Sequence, residues 1–594
     1  MIEGTFLDAL IRAQEVTDRG FVFLSNDLVE TNYPFSKLVA EAHKRGRHLQ
    51  KMGLKKGDRL AMIIPESEEF VLTFLGAVSV GVVPVPMYPP LALGKLDGFM
   101  DTASRIISTA RARMLISTKK VSPLLWSLLG TTKGLEDIVT VERLHGPAAW
   151  DQEPVTLAPS DPCFLQFTSG STSDPKGVVV THASLMANAH AIMTDGLKSN
   201  NAVDRGVSWL PLYHDMGLIG FVLSPITVTV PVVFIQTLSF VKRPAVWMEM
   251  VSKYRGTITF APNFAFGLAT KYAAKHKEVD LTSLRVLGCG AEPINPGTMR
   301  KFVEAFAPKG LKEQSIMPCY GMAEATLAMS FDGLDAPFRT VRIDRDAYEN
   351  ENAAKRVDAD GIELVSCGRV FPGHELGVMD TDGKLLADGH VGEIVFSGQS
   401  VASGYFDNPT ASAAALKHGW LHTGDLGFLI EGELFISGRM KDLIILNGRN
   451  YHPQAIEWEV EKVDGIRKGN VVAFSMRGDD TEKLVVVAEQ RKGSPDTLSQ
   501  AVKDHVRTTL GLSVGEVMLV PPGGLPKTSS GKLQRRKTAS SYASGELGKE
   551  DRTLGSNAAR TTVARHITRS VVARVRHGVK KALLAPAALF RTVF

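Results

Sequence analysis

The chain has few cysteines, and they are scattered. Cys163, Cys289, Cys319 and Cys367 lie far apart in 594 residues with no CxxC pair. That spacing excludes a zinc ribbon and a disulfide framework, and suits buried thiols in a reducing compartment. Long apolar runs are missing too, since no segment approaches the ~20 residues of a membrane span. The opening "MIEGTFLDALIRAQEV" carries acids where a secretory signal has a basic region, which predicts a cytoplasmic protein. Acidic residues disappear after Asp551, where nine Lys and Arg follow. The net charge of +5, less those nine, leaves −4 for residues 1–551. A mildly acidic body argues against nucleic-acid binding.

The remaining composition, 44% hydrophobic and 22% charged, is that of a globular enzyme, and the length predicts two to four domains. "DRLAMIIP", "GVVVTH", "PVVFIQT", "GTITFAPN" and "LRVLGCGAEPI" read as strands, with helices such as "PGTMRKFVEAFA" between them. This alternation predicts an α/β domain with largely parallel sheets covered on both faces. From about Cys367, "HELGVMD", "VGEIVFSG" and "GELFISG" read as short strands with Gly turns, a small antiparallel subdomain. After "GRMKDLIILNGRN" comes a smaller α+β piece with helix "PQAIEWEVEKV" and strands "NVVAFSM" and "KLVVVAEQ". The expected division is a large domain over 1–439 with its β-rich part at 367–438, a small domain over 440–543, and a tail over 544–594.

The stretch "QFTSGSTSDPKGVVVTH" is too rich in hydroxyls and glycine for packed core. Backbone N–H groups of a Gly-bearing turn, Ser and Thr hydroxyls and a Lys suit a phosphate, although this is not the standard P-loop pattern. Other segments supply further parts. "GAEPI" follows an apolar strand, at the carboxyl end where open α/β sheets bind ligands. "CYGMAEAT" offers Tyr320 for stacking on a base and Glu324 as a carboxylate for Mg²⁺. "LHTGDLGFL" presents Asp425 for a ribose diol, "GRMKD" adds Arg439 and Lys441, and "PKTSSGKLQRRKT" places Lys532 on a Gly-containing loop. Taken singly, each has a dull alternative as a turn former or a solvated charge. Together they describe ATP used for adenylyl transfer.

The ordered segments "FTSGSTSDPKGV", "GAEPI", "YGMAEAT", "HTGDLG", "GRMKDLIILNGRN" and "PKTSSGKLQR" resemble the adenylate-forming superfamily of acyl-CoA synthetases, adenylation domains and luciferases, over roughly residues 20–540. "LPLYHDMGLIG", "APNFAFGLATK", "SVASGYF" and "KDLIILNGRNYHPQAIE" narrow the resemblance to fatty acyl-AMP ligases. The resemblance implies that a fatty acid attacks ATP, pyrophosphate leaves, and the acyl group passes to an acyl carrier protein or a polyketide or peptide synthase carrier domain. It implies phosphate contacts from Thr168, Ser169, Gly170, Ser171, Thr172 and Lys176, and nucleotide contacts from Gly290, Ala291, Glu292, Tyr320, Gly321, Met322, Asp425, Arg439 and Lys441. Glu324 would ligate Mg²⁺, His214 would border the acyl carboxylate, and Lys532 would bridge carboxylate and α-phosphate. Lys441 matches the hinge of a mobile small domain that must close. The charged stretch 331–365 is consistent with the insertion of fatty acyl-AMP ligases. An acyl-CoA synthetase with a decorative insertion is the alternative, and a non-catalytic homologue a further one.

In the tail, Val563, Ile567, Val571, Val575, Val579 and Leu583 recur every four residues, flanked by Arg565, Arg569, Arg574, Arg576, Lys580 and Lys581. The pattern predicts a basic amphipathic helix ended by Pro586. Three fates fit it: peripheral contact with an anionic membrane, docking on an acidic carrier protein, or a disordered solubilising tail.

Overall fold

The computed structural model describes residues 4–90, 96–147, 155–168, 175–275, 278–446, 449–477, 482–528, 531–548 and 564–579. Short, β-branched, apolar segments form its main sheet. Six neighbouring strands, Gly20–Leu24, Val232–Phe234, Gly206–Ser208, Ile258–Ala261, Val286–Cys289 and Ile316–Gly321, run parallel. Antiparallel strands Glu30–Pro34 at one edge and Ala328–Phe331 with Arg369–Val370 at the other complete nine. A second sheet of four parallel strands, Val83–Pro86, Arg59–Ile63, Met114–Ser117 and Asp137–Thr140, lies beside it. Between them, helix Ser67–Ser79 is buried almost all round and crosses helix Phe35–Lys51 backbone to backbone. A Cβ on Gly46 would stand 2.5 Å from the Gly76 carbonyl oxygen, so only glycine permits that approach.

Two features depart from simple strand–helix alternation. "GVVVTH" belongs to an antiparallel hairpin, Pro162–Thr168 against Lys176–Thr181, instead of joining a parallel sheet. Pairing Thr168 with Lys176 sets the ends of the phosphate-type loop side by side. The stretch 331–365 is folded. Its strands Thr340–Ile343 and Ile362–Val365 pair antiparallel, helix Arg345–Glu351 lies between them in sequence, and Val341, Ile343, Tyr348 and Leu364 share a core with Phe428, Ile430 and Phe435.

Those last residues belong to an antiparallel sheet built from His374–Met379, Gly392–Gly398, Trp420–Ile430, Leu416–Lys417 and Glu433–Arg439. A turn at Met440–Asp442 leads to a smaller unit. Its three strands, Ile466–Arg477, Glu482–Gln490 and Val514–Val520, carry separate apolar clusters on their two faces. The folded insertion reaches this unit. The Tyr348 and His452 rings lie 4.8 Å apart, Asn450 donates to Asn352 at 3.5 Å, and Arg449 stands 3.9 Å from Asp346.

In the tail, residues 564–579 are helical, so the disordered reading fails there; Val563, Lys580, Lys581, Leu583 and Pro586 lie outside the described residues. The helix docks on the four-stranded sheet's domain through polar side chains. Arg565 and His566 meet Asp97, His577 meets Asp137 at 3.0 Å, and Ser570 Oγ accepts from Ser127 N–H at 3.1 Å.

One cation ties the turn to the small unit. The Arg535 guanidinium donates to Asp442 at 2.7 Å, to both oxygens of Glu457 at 2.7 and 2.9 Å, and to the Ala473 carbonyl at 3.1 Å. Arg535→Ala strands two largely buried carboxylates and is expected to cost about 3–5 kcal/mol. Arg535→Lys keeps charge without the fork and should fall between. Denaturant unfolding with hydrogen exchange read over 449–528 checks this. An alanine variant matching the parent would show that the fork anchors nothing.

Candidate active site

Parallel strands deliver their carboxyl ends to one edge of the main sheet, where a cavity of about 1600 Å³ opens between the large domain and the small unit. Strand Val286–Cys289 leads into Ala291 and Glu292, which line it. Behind them Gly290 fits because a Cβ there would stand 2.6 Å from Cys319 Sγ. Ala291 holds φ +69°, a left-handed conformation that aims Glu292 at helix Asn263–Tyr272, where its Oε1 accepts from Phe264 N–H at 2.6 Å. Burial raises the Glu292 carboxyl above the usual range, and that N–H opposes the rise.

Strand Ile316–Gly321 brings Tyr320 to the same edge, and its hydroxyl donates to Asp425 Oδ2 at 2.7 Å. Asp425 Oδ1 faces Arg439 Nε at 3.2 Å, its register partner across the antiparallel sheet. Burial raises the Asp425 carboxyl while Arg439 and Tyr320 hold it down. The base-platform, ribose and cation candidates thus form one hydrogen-bonded row. Met322, Gly321 and Lys441 line the cavity beside it.

Glu324 follows in a short 3-10 turn and accepts from the Tyr405 hydroxyl at 2.8 Å. Burial raises its carboxyl above the usual range and Tyr405 counters this. The chain then makes a tight γ-turn at Thr326, with φ +67° and ψ −62°, closed by Leu327 N–H on the Ala325 carbonyl at 2.8 Å. A β-branched residue there is strained. The Thr326 hydroxyl, donating to the Ser400 carbonyl at 2.7 Å, helps to hold it. Lys176 Nζ lies 4.9 Å from the Tyr405 ring centroid, so the hairpin's lysine and the Glu324 carboxylate share one phenol. Sequence reasoning did not single out Tyr405, although "SVASGYF" contains it. Thr168 lines the cavity; Ser169, Gly170, Ser171 and Thr172 lie outside the described residues.

From the small unit, Lys532 enters the cavity on a loop clasped by Thr528 N–H to the Lys532 carbonyl at 2.7 Å and Lys532 N–H to Thr528 Oγ1 at 3.1 Å. Burial lowers its ammonium below the usual lysine range; Asp215 and Glu292 oppose, Arg439 adds, and Asp425 opposes. Asp215, Glu292 and Asp425 of the large domain and Lys532 of the small unit thus line one cavity. His214 lines the same space, and burial holds its imidazole well below the usual range, with Lys532 contributing and Asp215 opposing. Asp215, the first residue of helix Asp215–Leu218, is a second residue the motifs did not single out. Among the described residues no three His, Cys, Asp or Glu side chains group as a metal cage.

The chain has recognisable relatives. The AMP-binding enzyme family matches residues 13–406. A putative acyl-CoA synthetase of Caulobacter vibrioides is 39% identical, over 88% of this chain and 92% of its own. The long-chain-fatty-acid–AMP ligase FadD32 of Mycobacterium marinum is 31% identical over 91% and 93%. A structure solved in work on fatty acyl-adenylate ligases from E. coli and L. pneumophila superposes with a TM-score of 0.86 at 34% identity, covering 92% of this chain and 98% of that one. With two thirds of its length matched by the family and fatty acyl-AMP ligases among its full-length relatives, this chain belongs to the AMP-binding, adenylate-forming enzymes and is an adenylating ligase.

Proposed function

We propose that the enzyme activates a fatty acid with ATP and passes the acyl group to the phosphopantetheine thiol of an acyl carrier protein. The observation that carries the reading is the Lys532 ammonium held between units, facing Asp215, Glu292 and Asp425 in one cavity. In the reaction, a carboxylate oxygen bonds to the α-phosphorus as the bond to the pyrophosphate oxygen breaks, and the carboxylate's negative charge passes through the α-phosphoryl oxygens to the leaving pyrophosphate. Lys532 answers that charge, and its partly desolvated ammonium does so more strongly than one in water. His214, held neutral, borders the acyl carboxylate without adding a proton. Tyr320, Asp425 and Arg439 orient the nucleoside, and Thr168 and Lys176 flank the phosphate loop. One wall carboxylate next to the phosphate hairpin suits Mg²⁺, which takes one or two protein carboxylates and otherwise phosphates and water. Glu324 would hold it, and the ion would neutralise the leaving pyrophosphate.

Carrier transfer is favoured over CoA by the folded insertion. Its contacts with Asn450, Arg449 and His452 brace the small unit just past the turn, where a CoA-using enzyme needs freedom to swing. The acyl-CoA synthetase reading keeps support from the Caulobacter relative. A non-catalytic role fits poorly with Lys532, Glu324 and Asp425 all lining one cavity.

Four outcomes are expected. Lys532→Ala should lower acyl-adenylate formation by about 10²-fold or more, the scale of a lost transition-state donor, while ATP binding by calorimetry stays close to the parent's. Formation above a tenth of the parent rate would end that role. Tyr405→Phe removes the bond that favours ionised Glu324, so the acidic limb of the adenylation pH profile should move to higher pH; an unmoved limb separates Glu324 from the ionisation that matters. Intact-mass analysis of candidate carrier proteins incubated with ATP and fatty acids should show acyl-carrier, with little acyl-CoA when CoA replaces the carrier. Tyr348→Leu, which keeps the core apolar but removes the ring against His452, should raise CoA use. Efficient acyl-CoA formation by the parent would assign the enzyme to the synthetases instead.

A further inference from the structure

The tail helix 564–579 is docked the wrong way round for a helix that merely completes a core. His566 and Ser570 are buried, Ala573 and His577 are half-buried, and these four recur at helical spacing on one face. That inner face makes polar contacts with Asp97, Leu124, Ser127 and Asp137. The opposite face holds Ile567, Val571, Val572, Val575 and Val579, which are 40–60% exposed. Apolar side chains normally face the core. Here the body takes the polar face and the apolar stripe is turned to the outside.

Charge says what covers that stripe. At about 100° per residue, Arg565, Arg569 and Arg576 fall along one margin and Arg574 along the other, where its guanidinium sits 5.6 Å from the Trp126 ring centroid. No acidic residue occurs in the helix or after it. An apolar strip with cations on both margins is the arrangement of helices that lie in an anionic lipid surface, side chains in the acyl boundary and arginines at the headgroups. Beyond the helix the chain continues with Lys580, Lys581, Phe590 and Phe594, residue types suited to the same interface.

We infer that this outward stripe seats the enzyme on an anionic membrane surface, with the helix acting as a fixed fender and not a free tether. The placement has a functional sense independent of the acceptor. Asp97, which clamps the helix, opens helix Leu96–Thr109, and Thr102 and Arg105 of that same helix line the active-site cavity. A membrane seated on the stripe therefore lies one helix away from the element that walls the cavity, near a substrate class that partitions into lipid.

Flotation of the full-length chain with phosphatidylcholine vesicles, with and without phosphatidylglycerol, tests this. The parent is expected to float with phosphatidylglycerol vesicles, weakly with phosphatidylcholine alone, and less as salt rises. Val571→Asp with Val575→Asp should reduce partition by about tenfold or more, two valines' worth of apolar burial, with an unchanged melting temperature because both side chains are exposed. Three results overturn the inference: a parent that does not float on phosphatidylglycerol, a double variant that floats equally, or equal binding to both vesicle types. A parent dimer in sedimentation velocity that the double variant dissolves would assign the stripe to a second copy and overturn it as well.

Discussion

Withdrawing an amine from water weakens its hold on a proton and neighbouring carboxylates strengthen it, and Lys532 is subject to both. Its partners come from distant parts of the chain: Asp215 beyond one strand end, Glu292 beyond another, Asp425 on the antiparallel sheet. Every one of those elements must be in place before the ammonium can be, and the small unit must lie against them. Arg535 serves the second requirement by tying the turn at Asp442 to the helix carrying Glu457 and the strand carrying Ala473. The two cations are three residues apart in sequence, so the loop that carries one into the cavity is continuous with the helix that anchors the other.

The carboxylates of the cavity are poised by the same means. Glu292, Glu324 and Asp425 all lie above the usual range because burial outweighs the donors that hold them down. Each is given one or two named donors, a backbone N–H, a phenol, or a phenol and a guanidinium. Burial strengthens these few contacts, and it makes each hard to remove without leaving a buried charge.

Much of this was legible in the residues, because parallel strands buried on both faces must be apolar throughout and Glu292 and Glu324 follow soon after two of them. The parts that were not legible share a reason. "GVVVTH" has the composition of a buried parallel strand, and only its partner reveals an antiparallel hairpin. Arg535 is one of four cations in "KLQRRK", and nothing local distinguishes it from its solvated neighbours. Tyr405 acts on Glu324 across 81 residues. The γ-turn at Thr326 opposes the residue's own preference, so surrounding structure imposes it. In the tail the periodicity did predict the helix, but periodicity cannot say which face the body takes.

The insertion has a consequence for how such chains diversify. Because Val341, Ile343, Tyr348 and Leu364 share one core with Phe428, Ile430 and Phe435, the segment is interleaved with the antiparallel subdomain and not appended to it. A lineage cannot drop it by a single deletion without baring three large apolar side chains to water, nor gain it on a sheet whose matching positions are polar. Homologues that lack the segment are thus expected to show polar or covered residues at those three positions, so its presence can be read from a strand more than sixty residues away.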